Sequence, residues 1–166
     1  VSNPFGLTQV YQFSIPEAAD MDGDGDTDLL IAEYYGNIQY FENTGTASAP
    51  AFAAPVQNPF NFAPSTSSDL AFPTVADLDQ DGDLDLLVGE YYGNLDYFEN
   101  TGTSSAPNFA ASVINPFGLV AVPDYAFPCF GDMDNDGDYD LMVGEQYGNM
   151  TYFENTFLNA SVSIYL

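Results

Sequence analysis

The sequence predicts an all-β fold built as three tandem blade-like units of about 55 residues each. Three observations carry this. The segment Asn3-Pro4-Phe5-Gly6-Leu7 returns as Asn58-Pro59-Phe60-Asn61-Phe62 and as Asn115-Pro116-Phe117-Gly118-Leu119. A nine-residue acidic stretch stands at 20–28, 77–85 and 132–140. The block LLIAEYYGNIQYFENTGT after the first stretch recurs as LLVGEYYGNLDYFENTGT and LMVGEQYGNMTYFENT after the other two. Self-similarity at such a period marks repeat architectures, whose units bury their apolar faces against one another. The units divide at 1–57, 58–114 and 115–166.

Within each unit the elements read as β. The runs 28–34, 85–91 and 140–146 are short, apolar and bounded by turn residues, as buried strands are. The pairs Gly36-Asn37, Gly93-Asn94 and Gly148-Asn149 suit two-residue hairpin turns. A return strand over 38–42 carries Tyr40 and Phe41, with counterparts Tyr97-Phe98 and Tyr152-Phe153. The Asn-Thr-Gly-Thr and Ala-Pro segments that follow read as loops, and a further strand is predicted around 6–13 and its equivalents. No window sustains a helical period. At the C-terminal end Val162, Ile164 and Leu166 alternate with Ser161, Ser163 and Tyr165. That pattern reads as a strand able to close onto the first blade or to add to a sheet edge of the next subunit. Three or four strands per unit imply β-propeller-type blades or another β-repeat array. Three blades are few for a ring. Either they are part of a longer chain, or they are closed or completed by self-association, or they stack open-ended, since head-to-tail contacts make rings or filaments.

Composition narrows the function. The chain has 25 Asp and Glu and no Lys, Arg or His, a formal charge of −25. Fifteen of those acids lie in the three acidic stretches, so the charge is concentrated rather than spread. With 46% hydrophobic and 16% aromatic residues the chain can fill a core, unlike an acidic disordered tail. A phosphate backbone needs Lys and Arg, which excludes nucleic acid as a partner. An anionic membrane surface is disfavoured for the same reason, and no run approaches the roughly 20 apolar residues of a spanning helix, so no membrane insertion is expected. Cys129 is the single cysteine. It cannot form an internal disulfide and, aligned with Glu17 and Thr74, reads as a buried, inert thiol.

The acidic stretches have the chemistry of a hard-cation site. Calcium takes six to eight oxygen ligands, and a loop with acids at alternate positions wraps several carboxylates around one point. Positions 1, 3, 5 and 9 are Asp in every copy: Asp20, Asp22, Asp24 and Asp28; Asp77, Asp79, Asp81 and Asp85; Asp132, Asp134, Asp136 and Asp140. Position 7 is Asp26, Asp83 or Asp138 and is expected to offer its backbone carbonyl. The glycine at position 6, Gly25, Gly82 or Gly137, permits the sharp turn. An EF-hand is excluded, because position 12 is Ile31, Val88 or Val143 where a bidentate Glu is required. Magnesium keeps more water and zinc favours His or Cys. Without a cation, close carboxylates repel by about 1 kcal/mol per pair even in water. About three Ca2+, one per repeat, are therefore expected, with folding linked to their binding.

The pattern D-x-D-x-D-G-D-x-D-L-[LM]-[IV]-[AG]-E, followed by Tyr-Gly-Asn and Tyr-Phe-Glu-Asn-Thr, resembles the FG-GAP/VCBS-type repeat of secreted and cell-surface proteins. Related repeats form calcium-binding blades of the integrin α-subunit propeller and of some fungal lectins. The resemblance covers all three units. It implies propeller-like blades with calcium in loops between strands, an extracellular or cell-surface setting, and an adhesive or scaffolding role. The calcium-ligand role carries over to the twelve Asp at positions 1, 3, 5 and 9 and to the position 7 carbonyls.

No catalytic constellation is expected: His, Lys and Arg are absent, and Cys129 has no histidine to activate it. Glu33, Glu90 and Glu145 share one repeated position and Glu42, Glu99 and Glu154 another, which favours structural roles over a glycosidase pair. The function expected is therefore a non-catalytic, calcium-stabilised repeat protein of structural or adhesive role that self-assembles, with glycans or surface proteins as further partners. The alternative is a lectin-like carbohydrate-binding module, with Tyr34, Tyr35, Tyr91, Tyr92 and Tyr147 as stacking candidates, although packing blade on blade is the favoured role for these rings. Asn149-Met150-Thr151 and Asn159-Ala160-Ser161 are weak glycosylation signals.

Overall fold

The computed structural model describes residues 3–63 and 70–155. The C-terminal strand reading at 160–166 and the sequon at Asn159 lie outside the described residues. Among the described residues eleven strands form three antiparallel sheets, and the only helical element is a short 3-10 turn at Pro4–Gly6. The all-β expectation holds. The first sheet is a meander of β1 (Ile15–Ala19), β2 (Asp28–Ala32), β3 (Ile38–Phe41) and β4 (Val56–Gln57). The second repeats it with β5 (Ala71–Ala76), β6 (Asp85–Glu90), β7 (Leu95–Phe98) and β8 (Val113–Ile114). The third has β9 (Phe127–Gly131), β10 (Asp140–Gly144) and β11 (Met150–Phe153), with no fourth strand among the described residues.

Each first strand carries the repeated proline, paired with an apolar residue of the central strand: Pro16 with Ile31, Pro73 with Val88 and Pro128 with Val143. A proline donates no ladder hydrogen bond, which suits the edge position these strands hold in their sheets. The acidic stretch links the first strand to the second, and the Tyr-Gly-Asn turn links the second to the third. Acidic loops and tyrosine turns therefore stand at opposite ends of each sheet.

The sheets stack face to face. Leu30, Ala32, Ile38 and Tyr40 of the first sheet meet Ala71, Leu86, Val88 and Phe98 of the second, with Phe62 and Phe109. The other face of the second sheet sends Leu87, Leu95 and Tyr97 against Leu141 and Val143 of the third. Covered on both faces, β6 is buried along its whole length, which explains a continuous apolar run where a half-exposed strand would alternate. Among the described residues no strand of the first sheet touches one of the third, and the three sheets do not close a ring.

Three local expectations are corrected. The hairpin turns hold three residues rather than two: Glu33 N–H donates to Asn37 O, Gly36 N–H donates to Glu33 O, and Gly36 has φ 75. This is a tight turn followed by a left-handed glycine, repeated at Gly93 and Gly148, so each asparagine stands just before the return strand instead of sitting in the turn. The strand predicted over 6–13 is absent, and the first strand begins at Ile15. The backbone there bonds to the hairpin turn instead, Tyr34 N–H donating to Gln12 O and Tyr11 N–H to the Glu33 carboxylate. Cys129 is exposed, not buried. It pairs with Met142, between Leu141 and Val143 of the second core, so alternation along the strand turns both residues to the outer face of the third sheet.

Close approach of neighbouring units decides one position. A Cβ at Gly89 would lie 2.1 Å from Ala126 O, whereas at the equivalent Gly144 the nearest contact is 3.8 Å. Gly89→Ala should destabilise the fold by about 2–3 kcal/mol through overpacking, and Gly144→Ala by less than about 1 kcal/mol. Urea unfolding of the two variants in one buffer checks the contrast.

Candidate metal centre

In each acidic loop the structure gathers positions 1, 3 and 5. One carboxylate oxygen from each of Asp20, Asp22 and Asp24 lies within 4.8 Å of the others, and Asp77, Asp79 and Asp81, and Asp132, Asp134 and Asp136, form the same cluster. The loop itself makes this geometry. Asp22 Oδ1 accepts from Asp24 N–H at 3.3 Å, Asp24 Oδ1 from Asp26 N–H at 3.0 Å, and Asp20 Oδ2 from Gly25 N–H at 2.9 Å. The Asp22 and Asp24 bonds are successive Asx turns, and the Asp20 bond reaches across the loop to close it. The glycine at position 6 is left-handed in all three copies, φ 94, 97 and 99, as the sharp turn requires. Position 4 is left-handed too, at Gly23, Gln80 and Asn135, a feature that three different residue types concealed in the sequence.

Position 9 does something further. Asp28 is buried and accepts three hydrogen bonds: from Met21 N–H at 3.0 Å, Tyr40 O–H at 3.0 Å and Asn43 N–H at 2.7 Å. Asp85 repeats the set with Leu78, Tyr97 and Asn100, and Asp140 accepts from Met133 and Asn155 N–H. These carboxylates tie the acidic loop to the return strand and to the loop after it. A carboxylate has about four acceptor sites, so three bonds leave room for a further ligand contact. Burial and the charge of Asp28 or Asp85 raise Tyr40 and Tyr97 well above the ordinary tyrosine range, keeping their hydroxyls protonated as donors. Burial also pushes Asp85 up to about 6, against the three donors that lower it. At Asp140 burial raises the carboxyl but the amides of Asn155 and Met133 outweigh it, leaving it below the usual range.

Position 7 is buried in every loop, with Asp26, Asp83 and Asp138 at 8%, 7% and 6% exposure. Asp26 Oδ1 and Asp83 Oδ1 are buried without a hydrogen-bond partner, a costly state for a carboxylate oxygen. Burial and the charges of neighbouring aspartates raise Asp22, Asp26, Asp83 and Asp134 above the usual carboxylate range. Clustered oxygens, raised carboxyls and unsatisfied buried atoms together fit a bound cation. Each loop could hold a metal ion, and the all-oxygen donor set selects a hard one.

With that geometry in view, the family assignment follows. Residues 20–88 and 77–143 match the FG-GAP-like repeat family. The chain belongs to that family. No curated protein matches its sequence. The FG-GAP-like matches begin at the first acidic loop and together take in all three.

Other repeated residues of this FG-GAP-like chain support the loops from a distance. Glu33 accepts from Asn37 Nδ2 at 2.9 Å and Glu90 from Asn94 Nδ2 at 3.4 Å, while Glu145 accepts from the backbone amides of Tyr147 and Asn149. These glutamates hold the hairpin turns; Glu42, Glu99 and Glu154 are exposed. Asn43 Oδ1 accepts from Gly45 and Ala51 N–H and Asn100 Oδ1 from Gly102 and Asn108 N–H, shaping the Asn-Thr-Gly-Thr loop. The tyrosine partners of position 9 escaped the sequence reading. The constant spacing of 12 residues from Asp28 to Tyr40 and from Asp85 to Tyr97 was the available signal.

The two roles of aspartate separate experimentally. In excess chelator Asp28→Asn should cost about 2–4 kcal/mol, because at least one buried donor loses its acceptor. Under the same conditions Asp22→Asn should leave stability unchanged or slightly raised, since it removes only a repelled charge. Denaturant melts of both variants without metal measure the difference.

Proposed function

We propose that this chain is a non-catalytic, extracellular or cell-surface scaffold whose propeller-type blades are stabilised by about three calcium ions and which associates with copies of itself in a structural or adhesive role. The observation that carries this reading is the threefold gathering of aspartate oxygens in a protein with no Lys, Arg or His. Nothing within the side chains can neutralise those loops, so an external divalent cation supplies the counter-charge. Calcium suits the number and flexibility of the oxygens better than magnesium. The membership of the FG-GAP-like family supports an extracellular setting, where calcium is abundant. Among the described residues no helix is long and apolar enough to cross a membrane. Catalysis finds no support in the repeated glutamates, since Glu33, Glu90 and Glu145 are engaged in turns.

Calcium at about a hundred times its dissociation constant should stabilise the fold by about 2.7 kcal/mol per site. Thermal melting followed by circular dichroism, with calcium and then with excess chelator, reads this directly. A chain equally folded and equally stable in both would remove the calcium claim.

A second reading is carbohydrate binding at the opposite end of the sheets. Tyr35, Tyr92 and Tyr147 are 55%, 60% and 68% exposed there, beside a groove lined by Phe13, Tyr34, Phe72, Tyr91, Tyr125 and Phe127. Part of this aromatic surface serves packing: Tyr34 stacks on Phe13, Tyr91 meets Tyr125 edge-on, and Tyr35 stacks on Tyr11. Binding on a glycan array that Tyr92→Ala abolishes without lowering the melting temperature would favour this reading, and a blank array would dismiss it.

A further inference from the structure

The Asn-Pro-Phe segment is a joint between neighbouring repeats, and among the described residues the first and third repeats each present one half of such a joint exposed. Between the first and second sheets Asn58 is the clamp. Its N–H donates to Ile38 O at 2.7 Å, its Oδ1 accepts from Ile38 N–H at 3.0 Å, and its Nδ2 donates to Asn37 Oδ1 at 2.9 Å. Two residues on, Phe60 packs its ring on Tyr40 of the first sheet at 4.8 Å, while its carbonyl accepts from Phe109 N–H beside the second. Asn115 repeats the clamp on Leu95 and Asn94, and Phe117 packs on Tyr97 at 5.1 Å. The joint thus grips the third strand of one sheet and hands the chain to the next.

The third sheet offers the receiving half of this joint with nothing described in it. Met150 is 73% exposed where the equivalent Ile38 and Leu95 are 1% and 0%. Tyr152 is 44% exposed where Tyr40 and Tyr97 are 6% and 5%. Asn149 Nδ2 already donates to Glu145, as Asn37 Nδ2 does to Glu33, so its Oδ1 is set to accept in the same way. The first repeat offers the inserting half. Asn3 is left-handed with φ 46, against 50 at Asn58 and 47 at Asn115, and Phe5 has φ 58, against 56 and 57. Phe5 O accepts from Phe52 N–H at 2.8 Å, as Phe60 O does from Phe109, so the half that grips its own sheet is in place. Asn3 is exposed and Phe5 is 59% exposed. The segment holds its gripping shape with both side chains exposed.

We infer that Asn3 and Phe5 of one copy dock on the β11 edge of a second copy, Asn3 clamping Met150 and Asn149 and Phe5 packing on Tyr152. The occupant is a second copy because the first and third sheets of one chain do not touch among the described residues, while the two halves are complementary in sequence and backbone shape. This rests on the self-association proposed above and names its contact. Repetition of the contact runs head to tail and yields a ring or a filament. The association buries the outer face of the third sheet, where Cys129 lies exposed.

Sedimentation velocity of the full chain in calcium, with wild type beside Asn3→Ala and Phe5→Ala, tests the joint. Wild type should associate, and Asn3→Ala should weaken association by roughly ten- to a hundredfold, the loss of two side-chain hydrogen bonds, with the melting temperature of the monomer unchanged. In a Cys129→Ser background, chains bearing Asn3→Cys mixed with chains bearing Asn149→Cys should form disulfide-linked pairs. A wild type monomeric at all concentrations overturns both the joint and the self-association reading. Association undiminished in Asn3→Ala, with no cross-linked pairs, overturns the joint alone. A monomer whose Met150 amide is protected from hydrogen exchange places residues of the same chain on β11 and overturns the second copy as occupant.

Discussion

At the head of each central strand a buried aspartate accepts hydrogen bonds from three parts of its repeat, and the rest of the unit is arranged around that carboxylate. Asp28 reaches the second residue of its own acidic loop, a tyrosine hydroxyl on the return strand and the amide that opens the following loop. Hydrogen bonds to an ionised acceptor are roughly twice as strong as neutral ones, and a buried donor deprived of its partner carries its full desolvation cost. One residue therefore sets the register of hairpin, loop and edge together. Its repetition at Asp85 and Asp140 makes the three units alike despite different core side chains.

The electrostatics of the loops follow from this anchoring. Because position 9 is held inside the sheet, the remaining aspartates are confined to a short arc whose carboxylates cannot move apart. Chains with lysine or arginine relieve such crowding by ion pairs, and this one has neither. The strain is concentrated at the sheet ends away from the tyrosine turns, so a cation there would stiffen the loops without touching the aromatic groove.

Stacking supplies the second constraint. The second sheet is covered on both faces and has buried Leu86 and Leu87 pointing opposite ways, whereas the outer faces of the first and third sheets meet no further sheet among the described residues. Side chains with equivalent sequence positions accordingly differ in environment: Leu95 is buried and Met150 exposed, Thr74 buried and Cys129 exposed. Repeat proteins distribute their stability over such neighbour interfaces, and a terminal unit lacks one of them.

Much of this was legible in the residues. The triple Asp-rich motif, the apolar run after it and the Tyr-Phe return strand identified both the repeat and the candidate cation ligands, because alternating acids and period-two burial are local patterns that a short window of sequence displays. The hairpin turns were misjudged by one residue, since Gly-Asn serves either a two-residue turn or a left-handed glycine closing a three-residue one, and the backbone ladder makes that choice. The strand expected at 6–13 failed because its amides and carbonyls found partners on a hairpin turn many residues away. Cys129 was read as buried by alignment with its repeat equivalents, and whether a neighbouring sheet covers a position is not written in any window. By itself, then, the sequence determined the repeated unit, its oxygen-rich loops and the lack of any internal counter-charge, all properties of residue type and spacing. Tertiary structure decided which aspartate anchors and which are left for a cation, and which asparagines already clamp a sheet, because those outcomes depend on groups that only folding brings within hydrogen-bond reach.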